Sequence, residues 1–312
     1  MTKRISSAAD FGRVAVLMGG RSAEREISLI SGNAVLAGLQ RKGIDAYGID
    51  VSFDICQKIA SGEFDRAFIV LHGRGGEDGE IQGFLQAVNL PYTGSAITAS
   101  VLSMNKRLSK LAWIQQGLPT AIFMPVTEQT DTQALVDELG LPLIIKPVNE
   151  GSSIGMSKVN DIAELQQAID LALKYDADVI AEQWIHGEEY TVAILDGEAL
   201  PAIRLKTPHE FYDFDAKYHA NDTEYLCPCG LDADVEQGMQ DIAVKAFNAL
   251  GMKGWGRIDF MRDSQGNLFL LEANSVPGMT DHSLVPMAAK QAGLSFEDLV
   301  WRILETSFKD EN

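Results

Sequence analysis

The sequence predicts an α/β protein, with a parallel sheet and its helices at the N-terminus followed by two parts in which strands and helices mix. Three observations carry this. Up to about residue 100, apolar runs of strand length alternate with helix-length segments, the pattern of βαβ units. Beyond Lys106, strands begin to follow one another across short turns, as antiparallel pairing allows. The 312 residues suffice for two or three domains, and 46% hydrophobic with 22% charged residues is the make-up of a chain with a sizeable core.

Arg13–Met18 is an apolar run ending in Gly19-Gly20 and reads as the first strand. A helix is expected from about Ala23 to Arg41, stopped at Gly43, which takes a C-cap conformation without strain. Strands follow at Ala46–Val51 and Ala67–Leu71, the second ending in His72-Gly73, and then a helix near Glu80–Val88. Parallel sheets bind ligands at strand carboxyl ends, where the Gly-rich loops 19–20 and 73–79 fall. A helix near Lys106–Gln116 ends at Gly117 and Pro119 and opens a second part. This part holds a strand Leu141–Lys146, a Gly/Ser loop, a helix Ile162–Lys174, and strands Val179–Trp184 and Tyr190–Leu195. Asp196-Gly197 reads as a tight hairpin turn into a strand over Ala199–Leu205. Residues 207–224 are polar and aromatic without periodicity, the character of a lid or binding loop. A helix over 233–250, a hairpin of Trp255–Arg262 with Leu268–Asn274, and C-terminal helices complete the chain. The expected domains are therefore 1–105, 106–195 and 196–312.

Charge and composition exclude whole classes of partner. With 26 Lys+Arg against 44 Asp+Glu, the net charge of −18 repels nucleic acid and anionic lipid, whose binding rests on basic residues. No apolar run approaches the roughly 18 residues of a membrane span, and the start MTKRISSAADFGR lacks the apolar core of a signal peptide. Three cysteines, Cys56, Cys227 and Cys229, make no disulfide framework and fit a reducing cytoplasm.

The richest chemistry lies in the hairpin. If Gln265-Gly266 are its central turn residues, Asp259 faces Glu272 and Arg257 faces Asn274, all four on one side. Ile258, Phe260, Leu271 and Ala273 then face a core. Two opposed carboxylates repel unless a cation lies between them or both are solvated. Asp259, Glu272 and the Asn274 carbonyl are hard oxygen donors suited to Mg²⁺ or Mn²⁺, and a solvated polar face is the competing reading.

Lys146 stands at a strand end just before Gly151-Ser152-Ser153, a loop able to present amides and hydroxyls to phosphate, although a plain hairpin loop would read the same. Glu182, Trp184 and Glu189 could serve a ribose or a base, or be ordinary strand residues. Gly19-Gly-Arg-Ser-Ala-Glu24 lacks the Gly spacing of a dinucleotide site, which argues against a dinucleotide-dependent oxidoreductase. Glu24 at a helix start is a dipole-favoured acid or a ligand group, and His72 a loop histidine or a site residue.

Taken together, LMGGRSAEREIS, LHGRGGEDGEIQG, PYTGS, KPVNEGSSIGM, WGRIDFM and LEANSVPGMTDHSLVP resemble the D-alanine–D-alanine ligase family, from Val14 to about Leu304. The resemblance implies a Rossmann-like N-terminal domain followed by a two-part ATP-grasp fold. It implies ATP as co-substrate, two Mg²⁺ (or Mn²⁺) ions, two D-alanine molecules joined through an acyl phosphate for peptidoglycan precursor synthesis, and a homodimer. By resemblance, Lys106, Lys146, Ser152, Glu182, Trp184, Glu189 and Lys217 bind nucleotide, and Asp259, Glu272 and Asn274 bind metal, with Glu272 bridging. Arg257 and the Gly278 amide would stabilise the tetrahedral oxyanion. Glu24 would hold the first ammonium and His72 would line its subsite. Ser283 and Leu284 would receive the second carboxylate, and Ser152, Tyr218 and Glu24 would close the site. Lys217 and Tyr218 put the segment 207–224 in the role of lid. The resemblance leaves open a ligase taking D-lactate or another D-amino acid second, and a non-catalytic ATP-binding relative. It also recasts the acidic chain as an acidic exterior around a locally cationic centre, in which Lys106, Lys146, Lys217, Arg257 and the two metal ions would offset ATP and a substrate carboxylate.

Overall fold

The computed structural model describes residues 5–51, 55–60, 62–207 and 223–308; the expected site residues Lys217 and Tyr218, and most of the expected lid, lie outside them. The first part follows the order the sequence predicts, with the short helix α2 added between its second and third strands: β1 (Val14–Gly19), α1 (Arg25–Arg41), β2 (Ala46–Val51), α2 (Ile55–Ala60), β3 (Arg66–Ile69) and α3 (Glu80–Ala87). The strands form a parallel sheet in the order β2-β1-β3. All six residues of β1 are buried, because the central strand of a parallel sheet is covered on both faces. Helix α1 lies so close to β1 that a Cβ on Gly32 would collide with the Cβ of Met18.

Next come α4 (Ile97–Met104), α5 (Lys106–Gln115), β4 (Phe123–Val126), α6 (Thr132–Leu139), β5 (Leu143–Pro147), β6 (Ser157–Val159), α7 (Leu165–Ala172) and β7 (Val179–Gln183). β4, β7, β5 and β6, in that order, make an antiparallel sheet with its own small core around Ile145, Leu165, Ile169 and Ala181. The remainder is β8 (Gly187–Leu195), β9 (Glu198–Ala199), β10 (Ile203–Lys206), β11 (Glu224–Leu226), α8 (Ala233–Ala249), β12 (Trp255–Asp263), β13 (Leu268–Asn274), α9 (Leu284–Gln291) and α10 (Phe296–Glu305). Its sheet runs β11-β10-β8-β12-β13, with β9 paired to β8. The turn between β8 and β9 is the two-residue one expected, with Asp196 and Gly197 at φ 55° and 82°, the left-handed pair that matches strand twist.

The sequence pattern does not show α2, α4, β4 or α6, and two long-range features are not legible in it either. β8 pairs with β10 and β12, so sheet membership passes from one sheet to the next at residues 184–186. The C-terminal helices return to the first part, where Val285, Leu299, Val300, Ile303 and Leu304 share a core with β1 and β3. Among the described residues no helix is long and apolar enough to cross a membrane.

Gly32→Ala separates close packing from helix propensity. Alanine favours a helix by about 1 kcal/mol, but the clash with Met18 is expected to outweigh this and destabilise the protein by about 1–3 kcal/mol in denaturant unfolding.

Candidate active site

The expected face-to-face register holds at the ends of β12 and β13: Arg257 lies opposite Asn274 and Asp259 opposite Glu272. It arises by a different route. The turn is one residue longer than expected, with Asp263 N–H donating to the Asn267 carbonyl, so Phe260 pairs with Leu270. A β-bulge between Asp259 and Phe260 on the pairing ladder then absorbs the extra residue, restoring the register at Glu272. The bulge corrects one assignment. Leu270 takes the core position foreseen for Leu271, and Leu271 lines a cavity beside Glu272.

The opposed carboxylates are each met by a protein cation. Arg257 donates from Nε and Nη2 to the two Asp259 oxygens, both at 2.8 Å. Thr191 Oγ1 and Asn274 Nδ2 also donate to Asp259, which is 5% exposed. Lys106 Nζ lies 3.6 Å from Glu272. Because Asn274 donates through its amide nitrogen, the amide oxygen is the atom left to ligate a cation.

Glu272 and Lys106 line two adjoining cavities. The larger, about 1180 Å³ counted to its open mouth, brings together Glu24, His72, Arg257, Asn274, Gly278, Ser283 and Leu284. Most of the expected substrate and metal residues, from separate stretches of chain, thus meet in one place. Ser152 Oγ donates to Glu24 at 2.5 Å, joining the Gly/Ser loop to the start of α1. Ser152 and Ser153 sit at φ 53° and 60°, a left-handed pair costing about 1–3 kcal/mol each, of the kind found where loops close over ligands. Arg74 reinforces this closure with a 2.7 Å ion pair to Glu150. Ser283 precedes α9 without capping it; its hydroxyl accepts instead from the Thr280 amide, so the first-turn amides of α9 are not taken by that side chain.

His72 is buried and donates from Nδ1 to the Val276 carbonyl at 2.9 Å. Burial lowers its pKa against the pull of Glu24, so the neutral ring faces the cavity at neutral pH. Glu77, which the sequence reading does not single out, accepts from the Gly73 and Val276 amides at 2.8 and 3.0 Å. Burial, with neighbouring Glu24, pushes its carboxyl up to about 7. The signal for it lies in the GRGGEDG loop, where an acid among glycines at a strand end can reach bare backbone amides.

The second cavity is lined by Lys106, Lys146, Ser153, Glu182, Trp184, Glu189 and Leu271. Lys158 stacks over Trp184, its Nζ 4.7 Å from the ring centre. Lys146 and the fully buried Lys110 each lie 3.1 Å from Glu182 Oε2. Burial would raise the Glu182 carboxyl, yet the two lysines outweigh it and hold it below the usual range. Burial likewise brings Lys110 down to about 8, against the opposing pull of Glu182. Glu182 therefore orients Lys146 in addition to lining the cavity.

Among the described residues the side chains alone do not make a cationic centre; the expected one also counts Lys217, which lies outside them, and two metal ions. Lys106, Lys146 and Arg257 face Glu24, Glu77, Glu150, Glu182, Glu189, Asp259 and Glu272 around the two cavities. A polyphosphate entering here would need further positive charge; Glu272 and the Asn274 oxygen are hard donors for a divalent ion, and Asp259 would join them by giving up one of the hydrogen bonds it accepts from Arg257, Thr191 and Asn274. No group of three or more His, Cys, Asp or Glu arranged for a metal occurs among the described residues; this set is two carboxylates and a carboxamide. Neither Cys227 nor Cys229 lines either cavity; burial pushes the Cys227 thiol up to about 11, and Cys229 is buried in the core.

Comparison with known proteins places the chain among relatives that match nearly its whole length. A family model for the D-ala D-ala ligase C-terminus matches residues 112–305, and one for the N-terminus matches residues 51–95. The D-alanine–D-alanine ligase of Stutzerimonas stutzeri is 57% identical over 97% of this chain and 96% of its own. The fold is similar to the crystal structure of the Bacillus anthracis D-alanine–D-alanine ligase complexed with ATP, with 31% identity, a TM-score of 0.84, and coverage of 95% of this chain and 97% of that one. It is also similar to the VanG D-Ala:D-Ser ligase of Enterococcus faecalis, with 28% identity, a TM-score of 0.84, and coverage of 95% and 99%.

Glu77 gives a pH-dependent prediction. Its folded pKa lies above the ordinary 4.5, so the stability it confers is complete below that value and lost as pH rises towards about 7. Glu77→Gln does not titrate. Its melting temperature relative to the parent protein should therefore rise between about pH 5 and pH 7.5, and a constant difference across that range would refute the assignment.

Proposed function

The chain belongs to the D-alanine–D-alanine ligase family, and on that premise we propose that it joins two D-alanines into D-alanyl-D-alanine while converting ATP to ADP and phosphate. The observation that carries the reading is the meeting of two cavities at Lys106 and Glu272, one ringed by amino-acid-binding chemistry and the other by nucleotide-binding chemistry. Such a reaction needs two anions aligned and screened from one another, more than it needs a protein nucleophile.

In the first step a carboxylate oxygen of one D-alanine attacks the γ-phosphorus of ATP. The new O–P bond forms as the β–γ bridging bond breaks, leaving D-alanyl phosphate and ADP. In the second step the free amine of another D-alanine attacks the acyl carbon. A C–N bond forms, the amine loses its proton, and inorganic phosphate departs. Glu24 would bind the first ammonium, beside a neutral His72 that adds no competing charge. Lys106 and Lys146 would hold the phosphates, Trp184 and Glu189 the base and ribose, and Glu182 the orientation of Lys146. Arg257 and the Gly278 amide would meet the oxyanion, and Ser283 with the Leu284 amide at the start of α9 the second carboxylate. The Ser152–Glu24 and Arg74–Glu150 contacts support a closed loop that keeps water from the acyl phosphate. Tyr218 and Lys217 would complete the closure.

Glu272, Asp259 and Asn274 would hold two Mg²⁺ or Mn²⁺ ions, with Glu272 shared; when bound, they would supply the positive charge that the protein side chains lack here. We read the chain as three parts, with the second boundary near residues 184–186, where sheet membership changes. Cytoplasmic location and a homodimer complete the proposal, on the use of ATP and the family likeness.

Incubation with ATP, Mg²⁺ and D-alanine should release ADP and phosphate and yield the dipeptide. A requirement for D-lactate or D-serine as the second substrate would replace this reading with its same-fold alternative, and ATP binding without turnover would replace it with a non-catalytic role. Glu272→Gln should lower kcat by at least about 10²-fold, the scale of losing one charge-stabilising group, with an unchanged circular dichroism spectrum. Near-normal turnover at ordinary Mg²⁺ would exclude the shared-ligand role.

A further inference from the structure

Lys110 follows Lys106 by one turn of α5, yet it lines neither cavity. It is fully buried, and its ammonium makes contacts in two directions. Towards the β4-β7-β5-β6 sheet it lies 3.1 Å from Glu182 Oε2, the same oxygen that Lys146 approaches at 3.1 Å. Towards the other sheet it donates to Thr120 Oγ1 at 2.6 Å, and Thr120 in turn donates to the Leu270 carbonyl at 2.8 Å. The Leu270 amide donates to the Pro119 carbonyl at 2.9 Å, so both polar groups of Leu270 are held from the outer side of β13. Leu270 is the last residue before the bulge that turns Leu271 and Glu272 towards the cavities.

We propose that Lys110 is a positioning residue for the nucleotide: through Glu182 it sets Lys146, and through Thr120 and Leu270 it fixes the bulge that presents Glu272. The proposal rests on the ATP-dependent reading above. A role in stability alone is a poor account of the side chain, because a buried ammonium carries a desolvation penalty that an apolar side chain of similar length would avoid. One arm of its network reaches Lys146 through Glu182 and the other ends on Leu270, two residues before Glu272; Lys146 and Glu272 both line the cavity read above as the nucleotide's.

Lys110→Met keeps the length of the side chain and removes both arms, while Lys146 still neutralises Glu182. ADP with Mg²⁺, titrated calorimetrically, should bind at least tenfold more weakly to this variant, and the KM for ATP should rise at least tenfold. The KM for D-alanine should stay within twofold. Thr120→Val leaves every charge in place and cuts only the arm to β13; the Mg²⁺ concentration for half-maximal rate should rise at least threefold. Parent-like ADP affinity and KM for ATP in Lys110→Met would overturn the proposal. If that variant does not fold, an unchanged Mg²⁺ requirement in Thr120→Val overturns it instead. Absence of D-alanine-dependent turnover in the parent protein would count against the ligase reading, and the ADP titrations would still decide the role of Lys110.

Discussion

The pairing of Arg257 with Asp259 is the interaction on which the site depends. Two residues apart on one face of β12, they form a bidentate ion pair that allows a carboxylate to be buried at 5% exposure. Without it, Asp259 opposite Glu272 would place two negative charges together in a poorly solvated corner. With it, Glu272 can turn towards Lys106 and stand between the two cavities.

Around this pair the site is assembled by loops that hold one another. Val276 donates its amide to Glu77 and accepts from His72, so the loop after β13 is fastened to the loop after β3 through both polar groups of one residue. The Gly/Ser loop is fastened to the start of α1 through Ser152 and Glu24. These contacts join the parallel sheet to the two antiparallel ones, and each uses a polar side chain that also lines the larger cavity. Positioning and chemistry are therefore carried by the same residues, which limits the substitutions the site tolerates.

Much of this is legible in the sequence because it is local. The alternation of strands and helices follows from apolar periodicity, and the Asp196-Gly197 turn follows from the left-handed backbone those residues accept. The register of the site hairpin is legible too, but it is reached through two offsetting departures, a longer turn and a bulge. The pairing at Asp259 and Glu272 survives them, while Leu271 changes sides. Local pattern gives strand direction and alternation, whereas a bulge is settled by what packs against the strand.

By itself the sequence determined most of the element types, though not α2, α4, β4 or α6, as well as the residues carrying charge and hydroxyl groups and, through its motifs, the family likeness. Only the tertiary structure decided which charges neutralise which. It paired Arg257 with Asp259, gave Glu182 to two lysines, buried Lys110, half-buried Glu77, and brought the C-terminal helices back onto the first sheet. The reason is physical. Periodicity and turn chemistry act over a few neighbouring residues, but the cost of burying a charge depends on partners that are distant along the chain and close in space.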